Sequence, residues 1–429
     1  MTKISLAYGS GAITAELPAG HKVQVVDGRP TPPVADVAVA VRQALASPIG
    51  SRPLGETVSA GDRVAVVASD LTRSLHQELF LPVLLDELNA AGVPDGDITL
   101  VVALGAHRRH TPEENAATYG RDVVNRVRIV QSYARDENDF TYVGTTTRGV
   151  AAKLSRHVTA ADKVILTGGI AYHSMAGFAG GRKSVVPGVA SYDTIQANHR
   201  FCLSDEIGSG VSPLCDCGLL AGNPLHKDQM EIAAMLAPAF LLNVIPAPDG
   251  GLAGFVAGHW RDAWEEGCRR VAGIYGVPIR EQTDLVIASA GGYPKDVNFY
   301  QATKATENAL AACNQGGVVI AVLECRAIGE PPDFRGWFDI ASLHERELAL
   351  RERFTVPGFV ALKTGLAARR IQHIIVTLPE NRSFIEKAGM TPAATLPEAI
   401  ALAETRLGCR DYTVTVMPHA AATLPLPAG

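Results

Sequence analysis

Along this 429-residue chain the apolar positions come in runs separated by polar or glycine-rich loops. Four times a β-rich apolar run ends in such a loop and enters a helix-like segment: Val64 to Ala68, Ile98 to Leu104, Lys163 to Thr167 and Leu285 to Ser289. Repetition of that kind specifies parallel sheets and predicts the α/β class. Helix starts agree with the layout. Thr111-Pro-Glu-Glu114 and Thr395-Leu-Pro-Glu398 each put a capping threonine before a proline and a glutamate. Asn223-Pro224 has the same flavour ahead of His226, which favours a structural role for that histidine. The run Tyr412 to Met417 reads as one more strand, with a tail of a dozen residues after it.

Length and composition change the picture only in part. With 47% hydrophobic residues, a chain this long makes two domains, each with its own core. The expected division is 1–270 and 271–429, with the junction where a helix containing Trp260 and Trp264 gives way to Ile274-Tyr-Gly-Val-Pro, and the last segment packs back on the first domain. A net charge of −5 offers no basic field for nucleic acid or anionic lipid. No apolar run approaches the roughly 20 residues that span a bilayer, and the N-terminus lacks the apolar core of a signal peptide. The expected location is therefore the cytoplasm and the expected partner a small molecule. Seven scattered cysteines do not form a disulfide framework, and Cys215-Asp-Cys217 reads as structural.

The chemistry-bearing residues fall in the loops. They are Ser69-Asp70-Leu-Thr72-Arg73, Gly105-Ala-His107-Arg-Arg-His110, the stretch from Gly168 through His173, Arg182, Lys183 and Ser184 to Gly188, then Asn198-His199, and Tyr300-Gln301-Ala-Thr-Lys304. Ligands of open α/β sheets sit outside the carboxyl ends of the strands, so these loops are expected to share one crevice, in the cleft between the domains. The glycines around Lys183 suggest a loop wrapped around a bound group. Gly177 and Lys183-Ser184 have P-loop spacing, but Arg182 stands where the second glycine is required. Tyr300 and Lys304 share a face of a predicted helix. Taken singly, Asp70 and Arg73 would be a helix cap and a solvated arginine; His107 and His110 could be read as a metal-ligand pair, but with a spacing of three just ahead of the Thr111 cap they need not share a helical face, which favours one histidine working alone.

As an ordered set, these motifs resemble the nickel-pincer-nucleotide-dependent lactate racemase family of 2-hydroxyacid racemases and epimerases. The resemblance covers nearly the whole chain. It implies two α/β domains and an isomerase whose lysine, matching Lys183, is covalently linked to a pyridinium mononucleotide carrying nickel. His199 matches the histidine that supplies the fourth nickel ligand, and His107 and His173 match the two bases, one for each enantiomer. Arg73, Gln301 and Lys304 are then assigned to substrate, and Asp70, Thr72 and Tyr300 to orienting cofactor or anchors. Arg182 and Ser184 are assigned to the cofactor phosphate. Cofactor-synthesis enzymes become expected partners in maturation.

One departure bears on the substrate. Lactate-active members carry a tryptophan in a segment matching Pro357 to Ala368, where this chain has Phe359, Lys363 and Thr364; Trp337 lies earlier. A pocket without that bulk and with an added cation predicts a longer or doubly charged acid, such as malate, 2-hydroxyglutarate or a sugar acid. Two other readings stay open on the residues alone: a zinc-dependent hydrolase using His107 and His110, and a non-catalytic nucleotide-binding protein.

Overall fold

The computed structural model describes residues 2–17, 20–73, 75–248, 250–409 and 411–427. It is α/β, built on two large sheets. Contacts divide the chain into two units, one of residues 30–202 and 214–272, the other of residues 1–29, 203–213 and 273–429. This differs from the expected 1–270 and 271–429, because the first 29 residues and the excursion 203–213 belong with the C-terminal part. The reason lies in strand pairing. Val23–Val25 adds to the C-terminal sheet beside Val414–Met417, and the hairpin Thr2–Tyr8/Gly11–Leu17 buries Ile4, Leu6, Ala15 and Leu17 with Leu285, Ile287 and Ile320. The junction itself falls between Ala272 and Gly273, two residues from the expected place and within the helix Asp262–Tyr275.

In the unit of residues 30–202 and 214–272 the strand order is Leu252–Gly258, Phe240–Pro246, Lys163–Gly169, Val64–Ser69, Ile98–Gly105, Arg128–Tyr133. All neighbours are parallel except the first pair. Chain order runs outward in both directions from Val64–Ser69, so the sheet reverses between that strand and Lys163–Gly169, and the loops leaving both sit at the reversal. The strands are apolar throughout because helices cover both faces; Val64, Val66, Leu100, Val102, Ile165 and Leu242 share one core with Phe80, Leu84 and Leu88 of the helix Gln77–Ala90.

The other unit carries a sheet of six parallel strands, Thr391–Ala393, Gln372–Val376, Cys313–Val322, Thr283–Ser289, Val414–Met417, Val23–Val25. Alternation along Thr283–Ser289 sends Leu285 and Ile287 into the core on the hairpin side, and Val286 and Ala288 into the core under the helix Phe299–Leu310. Within this unit Leu424–Pro427 pairs in parallel with Gly276–Ile279. Thr395 caps the helix Leu396–Leu407 through the Glu398 amide, as its sequence predicts.

His373 lies within the Gln372–Val376 strand at 2% exposure, its Nδ1–H donating to the Ile371 carbonyl. Burial pushes this imidazole down to about 4, the backbone hydrogen bond opposing. Above the unfolded value near 6.5 both states are neutral and the full stability is present. As pH falls below that value only the unfolded chain takes up the proton, so His373 removes about 1.4 kcal/mol of stability per pH unit until its folded value near 4 is reached. His373→Gln is expected to flatten this limb, measured as the urea midpoint between pH 6.5 and 4; an unchanged pH slope would show that the group contributes nothing.

Candidate active site

The loops after Val64–Ser69, Ile98–Gly105 and Lys163–Gly169 leave adjacent strands at the same carboxyl edge. Asp70 opens the first. It is not a helix cap: its Oδ1 accepts from the Thr72 hydroxyl at 2.6 Å and the Thr72 amide at 3.2 Å, closing a local turn, and the following helix begins only at Gln77. Its Oδ2 meets Nδ1 of His107 at 2.5 Å. Burial alone would raise the Asp70 carboxyl, but the hydrogen bond and charge of His107, with Thr72 and Arg73, hold it below the usual carboxylate range. An aspartate that stays ionised at Nδ1 fixes the proton there and turns the lone pair of His107 onto Nε2.

His110 separates from this group. It is 6% exposed, its Nε2 accepts from the Leu71 amide at 3.2 Å, and its Nδ1 faces Asn115 Oδ1 at 3.0 Å. Both ring nitrogens are therefore engaged, and His110 stacks on Tyr119 behind the capping box of Thr111 and Glu114. The zinc reading needs one of those nitrogens as a ligand, so His110 does not support it. His173 shows the opposite tautomer to His107. Its Nδ1 accepts from the amides of Met175 and Ala176 at 3.2 and 3.3 Å, which places the proton of the neutral ring on Nε2.

The loop carrying Lys183 closes on the protein itself. Gly181–Ser184 forms a single tight turn. The Gly181 amide donates to Asn243 Oδ1 at 2.8 Å, and a Cβ at Gly181, whose φ is +52°, would lie 2.6 Å from the Trp264 ring. The glycines thus admit the protein's own side chains, where the sequence pointed to a bound group. Arg182, expected at a cofactor phosphate, is wholly buried. Its guanidinium lies 4.0 Å from the Trp264 ring and donates to the carbonyls of Phe178 and Ala176 at 2.8 and 2.6 Å. Desolvation pushes it down to about 9. Trp264 in turn donates to the Ala179 carbonyl at 2.9 Å and stacks on His226. Ser184 donates inward as well, to the Thr167 carbonyl at 2.8 Å. Both residues expected at the phosphate therefore brace the loop.

Lys183 is what this bracing presents. The side chain is half-buried and its ammonium has no hydrogen bond or ion pair among the described residues. Burial, followed by the charges of Arg182 and Arg73, pushes it down to about 7, so a large share is free amine near neutral pH. His199 ends the helix Tyr192–His199 at 2% exposure and donates Nδ1–H to the Ile195 carbonyl at 2.9 Å. Burial and the charge of Lys183 push the ring down to about 3. It is neutral with its lone pair on Nε2, and a backbone carbonyl on the opposite nitrogen is the usual support of a metal-binding imidazole. Next to it, Asn198 is fully buried and donates to Asp228 Oδ2 at 2.7 Å, while Thr146 donates to Oδ1 at 2.5 Å.

In the other unit Asn298 caps the helix Phe299–Leu310, and Lys304 Nζ donates to Gln301 Oε1 at 3.0 Å. Tyr300 packs edge-on against Phe334. The segment expected to distinguish substrates is the helix Val356–Arg370. Phe359 and Thr364 are buried in it, and Lys363 lies 3.1 Å from the Glu307 carboxylate, so it is not the added cation that was expected. Trp337, far earlier in sequence, packs on this same helix, where a Cβ at Gly358 would fall 2.4 Å from its ring.

A carboxylate-held histidine, a histidine of the opposite tautomer, a depressed lysine and a neutral buried histidine thus all lie in the unit of residues 30–202 and 214–272. Residues 8–210 match the lactate racemase N-terminal domain and residues 279–424 the lactate racemase C-terminal domain. The chain is 32% identical over 390 residues to the lactate racemase of Thermoanaerobacterium thermosaccharolyticum, covering 90% of this chain and 89% of that one. It is 33% identical over 385 residues to that of Lactiplantibacillus plantarum, covering 88% of each. The solved apoprotein structure of the T. thermosaccharolyticum racemase superposes with a TM-score of 0.89 at 29% identity, over 99% of this chain and 100% of that one. A Thermotoga maritima protein shares the fold alone, with a TM-score of 0.66 at 16% identity over 91% and 98%. The chain belongs to the lactate racemase family and is an isomerase.

Gly181→Ala must displace Trp264 and hold a left-handed backbone, and is expected to destabilise its unit by about 2 kcal/mol or more. The urea midpoint measures this; an unaltered midpoint would mean that the turn rearranges freely.

Proposed function

We propose that the protein racemises or epimerises C2 of a small 2-hydroxy acid, with a nickel-pincer nucleotide attached at Lys183. The observation that carries this reading is the Lys183 amine, pushed down to about 7 with no ion pair among the described residues, in one unit with His199, whose lone pair lies on Nε2. An amine largely free of its proton suits covalent attachment. A neutral imidazole suits nickel, whose square-planar sites accept nitrogen and sulfur. Lys183 would hold the nucleotide and His199 the metal; Arg73, whose positive charge reaches Lys183, offers a fork for the substrate carboxylate. When bound, the group supplies a hydride acceptor for the C2 hydrogen, which is too weakly acidic for a histidine to remove as a proton.

The protein's own side chains manage the hydroxyl proton. His107 has its lone pair on Nε2, takes that proton to become imidazolium and can return the same proton to the oxygen. His173 carries a hydrogen on Nε2 that can donate a hydrogen bond to the oxygen, and serves as the base for the other enantiomer in the tautomer whose Nε2 is free. Asp70 keeps His107 in the accepting tautomer and stabilises the imidazolium formed. Within the other unit Lys304 donates to Gln301, and Tyr300 of the same helix packs on Phe334. Because Glu307 engages Lys363, a doubly charged substrate gains no support from that lysine. The substrate class is therefore the 2-hydroxy acids, with chain length to be set by assay on lactate, malate, 2-hydroxyglutarate and a sugar acid.

Protein made together with the cofactor-synthesis enzymes is expected to carry an adduct of mononucleotide mass on the Lys183 peptide, and Lys183→Met to carry none. His107→Asn and His173→Asn should each retain the adduct yet racemise about 10²–10⁴-fold more slowly on chiral chromatography. An adduct elsewhere, or full activity in either histidine variant, would refute the assignment.

A further inference from the structure

In the unit of residues 1–29, 203–213 and 273–429 the amino edge of the sheet carries a polar cavity that none of the chemistry above uses. Tyr300, Gln301 and Lys304 follow the carboxyl end of Thr283–Ser289. The cavity lies at the opposite edge, where Gln372–Val376 and Thr391–Ala393 begin. It has a volume of about 380 Å³ and is lined by Ala368, Gln372, His373, Gly389, Thr391 and Arg406. Its origin is a stagger in the ladder. Thr391–Ala393 is the edge strand and pairs with its neighbour only from Ile374 onward. Gln372 and His373 therefore have no strand partner on that side, and the gap joins the two faces of the sheet.

Each face brings one polar group to the gap. Ile371 and Ile375 belong to the core under the helix Phe299–Leu310, so alternation puts His373 on that face. Its Nδ1–H donates to the Ile371 carbonyl at 2.9 Å, which leaves the lone pair of the neutral ring on Nε2. That nitrogen is buried and has no hydrogen-bond partner among the described residues. A buried acceptor without a donor keeps the whole cost of its desolvation. Arg406 comes from the helix Leu396–Leu407, which packs on the other face through Leu396, Ala399, Ile400 and Ala403. Its guanidinium is exposed, donates to the Thr391 hydroxyl and has no ion pair among the described residues. Thr391, accepting from Arg406, keeps its own hydroxyl proton to donate.

We propose that this gap binds a small oxyanion that carries a proton, namely hydrogen phosphate, at the opposite end of the strands from the expected substrate contacts. Arg406 and the Thr391 hydroxyl hold the anionic oxygens, and the P–OH donates to His373 Nε2. Both features of the ligand are required, because the guanidinium can only donate and the imidazole nitrogen can only accept. Sulfate meets the first requirement and fails the second. An arginine paired with a phosphate oxygen is among the stronger polar contacts. The assignment does not depend on the reaction proposed above, since the two share no residue.

Phenylglyoxal modification of the arginines of the full chain near neutral pH, mapped residue by residue by mass spectrometry, tests it with inorganic phosphate, sulfate and chloride at equal ionic strength. Phosphate is expected to protect Arg406 saturably, chloride to give no protection, and sulfate to need an about tenfold higher concentration for the same effect, the worth of one hydrogen bond. His373→Phe keeps the strand apolar, removes the acceptor and should bring the phosphate curve onto the sulfate curve. Equal modification of Arg406 with and without phosphate would overturn the site. Equal protection by phosphate and sulfate, or a preference for phosphate that survives His373→Phe, would overturn it as well. Loss of protection in Lys183→Met would trace the effect to the first site and end its independence. Should His373→Phe lower the thermal midpoint, His373→Leu provides the same comparison.

Discussion

A guanidinium buried without a counter-charge is the constraint from which the candidate active site follows. Arg182 has no exposed surface, yet it stands next to Lys183, the proposed point of cofactor attachment. Its positive charge is tolerated because the Trp264 face receives it at 4.0 Å and two carbonyls of the preceding loop accept its protons. Those carbonyls belong to Ala176 and Phe178, so satisfying the arginine also folds the backbone after His173 into place. Trp264 closes the same loop from the other side through Ala179. One buried cation thus fixes the approach of His173 and the turn that carries Lys183.

The same charge acts on the lysine electrostatically. Arg182 and Arg73 both disfavour a further proton on Lys183, and Lys183 disfavours one on His199. Positive charge accumulates in a desolvated place without an acid to match it, since the Asp70 carboxylate is occupied by His107 and Thr72. Such a field is relieved by an anion. Both ligands of the proposed reaction, a nucleotide phosphate and a 2-hydroxy carboxylate, are anions, and an amine attached through an amide-type link no longer carries charge. Binding and attachment would therefore relieve the mutual repulsion among Arg182, Arg73 and Lys183.

Much of this was legible from the residues. The apolar runs Val64 to Ala68 and Leu285 to Ser289 became central parallel strands because burial on both faces demands unbroken apolar sequence. Thr111 and Thr395 capped their helices because those local hydrogen bonds need nothing beyond four residues. What could not be read was long-range. Val23–Val25 is too short to announce that it pairs with Val414–Met417, close to four hundred residues on. Arg182 beside a lysine in a glycine-rich loop looks like a phosphate contact until Trp264 is found against it. Asn243, on the strand next to Gly168, gave no local signal at all, since an asparagine inside an apolar strand shows its purpose only when the Gly181 amide arrives.

Charge placement explains why the two imidazoles of the proposed acid–base pair need different partners. A carboxylate at Nδ1 holds the proton of neutral His107 there and leaves its Nε2 free to accept. Backbone amides at Nδ1 of His173 do the reverse, since an amide hydrogen repels a proton on that nitrogen and keeps the only one on Nε2. Neutral His173 can donate a hydrogen bond from Nε2 but cannot surrender that proton without becoming imidazolate, so in the proposed reaction the proton that His107 takes up is the one His107 gives back. His173 would act as a base only in the tautomer whose Nε2 is free, so the two directions of the proposed racemisation would start from different tautomers of one imidazole.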